Sequence, residues 1–127
     1  KELAETEQVD AYYKLLGQVE LLEGALTYEE GKQLAHEGGA SEDQPTREAW
    51  LETARHYLLA ISYFNRYATE SYALNLTFGR IYKRFEKCDP ELVREITDVH
   101  LSRWVKEYNL PEELVRSLFQ DVFGLIA

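Results

Sequence analysis

Apolar residues along the chain recur mainly at steps of three and four, the period of helices lying against a core, and no stretch shows strand-like alternation bounded by turn signals. From residue 2 to about 26, Val9, Tyr12, Leu16, Val19, Leu22 and Leu26 form one apolar stripe, with Glu5, Glu7, Glu20 and Glu23 elsewhere on the surface. The acidic first turn suits the positive end of a helix dipole. Thr27 followed by Glu30 has the form of a capping box, which predicts a separate short helix from Tyr28 to about His36. Residues 37–45, EGGASEDQP, combine two glycines, a proline and polar neighbours, and read as an exposed loop.

The segment from Thr46 to Lys87 holds most of the large apolar side chains and is expected to organise the rest. Trp50, Ala54, Tyr57, Ile61, Phe64 and Ala68 form its stripe, and Leu51, Leu58, Leu59 and Ala60 widen it, as in a buried central helix. Thr46 can cap it, with Glu48 in the first turn. One helix over forty-odd residues would span about 60 Å at 1.5 Å per residue, too long for a compact domain of this size. A kink or break is therefore expected between Thr69 and Thr77, where Ser, Thr and Asn lower helix propensity. Asp89-Pro90-Glu91 is a strong helix start, with a capping Asp and Pro at the first helical position. That helix carries Leu92, Val93, Ile96, Val99, His100, Trp104 and Val105 and ends near Asn109. Leu110-Pro111-Glu112-Glu113 opens a last helix, apolar on most sides through Leu114, Val115, Leu118, Phe119, Val122, Phe123 and Ile126. The fold class this pattern implies is all-α: a single-domain antiparallel bundle of four to five helices around a buried central helix.

Composition narrows the function classes. A chain of 127 residues, 45% apolar and 29% charged, is one ordinary globular domain, and no apolar run is long enough to span a bilayer. The opening without Met and the apolar close on Gly-Leu-Ile-Ala point to a piece of a longer chain. The acidic first segment does not look like a signal peptide, and the lone Cys88 excludes an internal disulfide, which fits a reducing, cytoplasmic setting. A net charge of −9 argues against general affinity for nucleic acid or anionic membrane. Residues 46–87 nevertheless carry +3 between acidic flanks.

Within that basic segment, Arg80, Lys83, Arg84 and Lys87 share one helical face and could cradle a phosphate or an acidic segment. Tyr57, Tyr63, Phe64, Tyr67 and Tyr72 lie on neighbouring faces, a composition found at the rims of cores and interfaces. His100, one turn after Ile96, should point inward from an apolar face. His36, His56 and His100 have no short metal spacing with one another or with Cys88, so no metal or cofactor is expected. These features favour a non-catalytic interaction or regulatory domain that binds a protein partner or itself. Phe119 and Phe123 would supply the apolar contact, with Arg80, Lys83, Arg84 and Lys87 setting electrostatic specificity.

Two resemblances supply alternatives. The run Ile96-Thr97-Asp98-Val99-His100-Leu101, followed by Leu110-Pro111 and Leu118-Phe119-Gln120-Asp121, resembles the proximal-histidine region of globin-coupled haem sensors, which would make His100 an iron ligand. Arg94 and His100, separated by five residues, resemble the Arg-x(4–6)-His motif of HEPN ribonucleases. That resemblance implies phosphate stabilisation by Arg94 and acid or base work by His100.

Overall fold

The computed structural model describes residues 2–39, 44–66, 72–110, 112–113 and 115–116. It is all-helical, and no strand occurs among the described residues. The helices are α1 (Glu2–Glu37), α2 (Arg47–Arg66), α3 (Tyr72–Phe85), α4 (Pro90–Glu95) and α5 (Leu101–Tyr108), with a π-helical stretch, Ile96–His100, joining the last two. None of the described helices is long and apolar enough to cross a membrane.

α1 is one helix, so the Thr27–Glu30 capping box is not used. Leaving the helix at Thr27 would forfeit what its last turns contact. Tyr28 packs edge-on to Trp50, with ring centroids 5.3 Å apart, and Gly31 lies against Pro45. Thr46 does cap α2, its hydroxyl accepting from the Ala49 amide at 3.3 Å. The Thr46 amide itself donates to the Gly31 carbonyl, which ties the start of α2 to α1. Beyond α1, Gly38 and Gly39 are exposed, whereas Pro45 is buried.

The α1–α2 contact is the largest among the described helices, and glycines make it. Gly17, Gly24 and Gly31 stand seven residues apart and so share one face of α1. A Cβ on Gly17 would meet the Phe64 ring at 2.5 Å, and one on Gly24 the Tyr57 ring at 2.8 Å. Since Gly17 meets Phe64 while Gly31 meets Ala49, the two helices run antiparallel. Two consequences follow. The backbones approach closely, which multiplies short-range contacts along the seam. The opposite face of α1, bearing the apolar stripe, then turns outward: Val9, Tyr12, Leu15, Val19, Leu22 and Leu26 are between 42% and 63% exposed.

α2 buries Trp50, Ala54, Tyr57, Leu58, Ile61 and Phe64. Its expected continuation to Lys87 is two helices. Residues 72–77 are helical, and 67–71 lie outside the described residues. Ile81 and Phe85 of α3 join the core, the latter 4.8 Å from Trp50 between ring centroids. Asp89 caps α4 as its sequence implies, accepting from the Glu91 amide at 3.1 Å, with Pro90 at the first helical position. Val93, Ile96, Leu101 and Trp104 pack into the same cluster, and Asn109 closes α5 in the left-handed conformation at φ 52°. Leu110 and Val115 are buried, and residues 112–113 and 115–116 are helical; Phe119, Phe123 and the other residues from 117 onward lie outside the described residues.

Candidate functional site

α3 ends in a basic turn because its apolar positions are spent inward. With Ile81 and Phe85 turned into the core, the other faces of this turn meet solvent, and Arg80, Lys83 and Lys87 are exposed there. Arg84 is half-buried. Its guanidinium lies 4.6 Å from the centroid of the Tyr28 ring, and Nη1 is 3.8 Å from Glu29 Oε1. Lys32 comes from the same part of α1, 3.4 Å from Glu29 and 5.4 Å from the Tyr28 ring centroid. All four basic residues of the row, together with Lys32, line one cleft of about 400 Å³ between α1 and α3.

Five cations thus face two carboxylates, Glu29 and Glu86, over the rings of Tyr28 and Tyr57. Burial pushes the Tyr57 phenol above its ordinary value, opposed by the charge and hydrogen bond of Arg84 and by the charge of Arg80. The hydroxyl therefore stays protonated in the cleft and can donate. Chemically, the arrangement suits an anionic ligand: guanidinium and ammonium donors at the rim, phenol rings at the base. Of the tyrosine-rich face, Tyr57 and Phe64 are buried, and Tyr63 stacks on Tyr13 with centroids 6.3 Å apart. The side chains of Tyr67 and Tyr72 lie outside the described residues.

His100 does not point into the apolar core. The π-helical stretch, closed by the Leu101 amide on the Ile96 carbonyl, puts an extra residue into the turn and so rotates His100 to the rim. There its Nε2 lies 2.9 Å from Glu95 Oε2, its Nδ1 lies 3.2 Å from Arg103 Nη2, and its ring stacks on Trp104. Glu95 is also paired with Arg47. The His100 hydrogen bond first, and the Arg47 charge after it, hold the Glu95 carboxyl below its usual range. Arg94 is exposed.

A second convergence was invisible to local spacing. Glu20 and Glu23 of α1 and His56 of α2 bring one donor atom each to within 4.8 Å of one another. Two carboxylates and an imidazole could hold a divalent cation. The same atoms also account for one another without an ion: His56 Nδ1 lies 2.7 Å from Glu20 and 3.4 Å from Glu23. Gly24 permits this approach, since a Cβ there would stand 3.3 Å from the His56 Cβ. Sequence spacing finds the basic row, but Lys32, Tyr28 and the Glu20–Glu23–His56 group require the fold. The signal that could have found them is the seven-residue glycine repeat, which marks the face of α1 that meets α2. No family model, no curated protein and no solved structure matches this chain.

Proposed function

We propose that this chain is a non-catalytic helical interaction domain of the cytoplasm, an antiparallel bundle around α2 that recognises an acidic segment of a protein partner at the Arg80–Lys87 cleft. The observation that supports this reading is the convergence of Lys32, Arg80, Lys83, Arg84 and Lys87 over Tyr28 and Tyr57, in a chain whose net charge is −9. A basic cleft on an acidic protein steers by local rather than global field. Polyanions at large, nucleic acid and membrane included, are repelled, while a short acidic segment that fits between α1 and α3 is held. In this reading the apolar residues Phe119 and Phe123 supply the burial and the basic row the electrostatic specificity.

The test uses a fluorescein-labelled, Glu- and Asp-rich peptide of about fifteen residues containing Leu and Tyr, followed by anisotropy. Binding should weaken steeply between low and physiological salt and fall by roughly tenfold or more in Lys83→Glu/Lys87→Glu, whose two side chains are exposed and bear no core. No binding at low salt, or equal binding by the double variant, refutes the proposal.

A further inference from the structure

The outward face of α1 has a finer order than exposure alone. Tyr12, Leu15, Val19, Leu22 and Leu26 follow one another at steps of three, four, three and four, the a and d positions of a heptad seam. All five are exposed. The glycine row that meets α2 falls at the f positions, directly opposite, so one helix carries two separate contact faces. A narrow a/d seam is the geometry of a helix pairing with another helix, whereas a core face is wider.

We propose that this face of α1 pairs antiparallel with the α1 of a second copy of the chain. Charge selects that partner and that direction. Parallel pairing in register would stack Glu29 on Glu29 at a seam position, like charges directly opposed. Antiparallel pairing with Val19 against the partner's Leu22 puts Leu15 against the partner's Leu26 and Tyr12 beside the partner's Glu29, where hydroxyl and carboxylate can bond. In the flanking row, Glu23 and Glu30 then meet the partner's Leu16 and Val9 rather than another carboxylate. The same register overlaps the two helices over nearly their whole length. The Arg80–Lys87 cleft shares Glu29 with this seam but none of Leu15, Val19, Leu22 or Leu26, so substitutions at Leu15 and Leu22 test self-association while those at Lys83 and Lys87 test peptide binding.

Sedimentation equilibrium over a concentration series should show a reversible dimer. Leu15→Glu/Leu22→Glu should weaken it by on the order of 100-fold or more, with helical circular dichroism unchanged and with the melting temperature of the native chain matched at concentrations where both are monomeric, because neither side chain is in the core. A protein that stays monomeric overturns the proposal, as does a dimer that survives this double substitution. Direction is read separately with a spin label at Leu34→Cys, an exposed site off the seam; the native Cys88 is buried. Antiparallel pairing gives a label separation of about 40 Å, and parallel pairing roughly half that or less. The short distance overturns the arrangement.

Discussion

Cys88 shows at the scale of one residue how burial changes chemistry. It is 3% exposed, in the turn between α3 and α4, packed within the hydrophobic cluster beside the Asp89 carboxylate. Burial first, and the Asp89 charge second, push the thiol from 9.0 up to about 12. A thiol held neutral is a poor nucleophile. Iodoacetamide should leave Cys88 unmodified in native protein at pH 8 and modify it fully in urea; rapid native labelling would show that the site is open. The linkage runs toward alkali. Because the folded value is raised, the contribution to stability is complete below pH 9.0 and is lost as pH rises toward 12. A midpoint in urea that falls over that range in the native chain, and falls less in Cys88→Ala, checks the sign. His100 is the residue that sequence reasoning misplaced. Periodicity assumes 3.6 residues per turn, and one π-helical stretch between Ile96 and His100 breaks that assumption without leaving a mark in the apolar pattern.

Among elements, α1 and α3 carry glycines in opposite circumstances. A Cβ at Gly24 would stand 2.8 Å from the Tyr57 ring, while at Gly79 nothing lies within 4 Å. Alanine is the better helix former by about 1 kcal/mol, so Gly79→Ala should raise stability by roughly 0.5–1 kcal/mol. Gly24→Ala gains the same propensity yet must push α1 and α2 apart, and should cost about 1–3 kcal/mol. Urea melts of the two variants decide it, and equal effects would show that the seam is not close-packed. The helices themselves were legible in the sequence: the Asp89-Pro90 start, the Thr46 cap and the end at Asn109 all follow from local chemistry. The direction of the α1 stripe was not. Period reveals that one face of a helix is apolar, but not which face meets the neighbour. Here close backbone approach at Gly17, Gly24 and Gly31 takes the inner side, and Leu15, Val19 and Leu22 are left outside.

In the whole molecule, charge and contact are separated in space. The basic row is legible from its spacing alone, because four cations at steps of three and four must share a face. Its counterparts on α1, Lys32, Glu29 and Tyr28, lie some fifty residues earlier and come into reach only once α1 has docked on α2. Arg55 adds a second tie across the fold, bonded to Glu52 at 2.6 Å and lying 5.9 Å from the Tyr108 ring centroid. The Arg55 hydrogen bond, the largest cause, holds the Glu52 carboxyl below its ordinary range.

A row of equal notches does not by itself say which tooth belongs in which. If α2 slid along α1 by seven residues toward its C-terminus, Phe64 would fall on Gly24, Tyr57 on Gly31 and Ala49 on Gly38, glycine against bulk as before. What differs is His56, which would leave Glu20 and Glu23 for Thr27 and Glu30. The 2.7 Å pair between Glu20 and His56 therefore acts as an index mark on an otherwise repeating scale. His56→Leu should keep the helix content yet admit a second alignment, seen as doubling of the Trp50 indole resonance. One sharp indole signal in that variant would mean that the bond from the Thr46 amide to the Gly31 carbonyl, or the core itself, keeps the count.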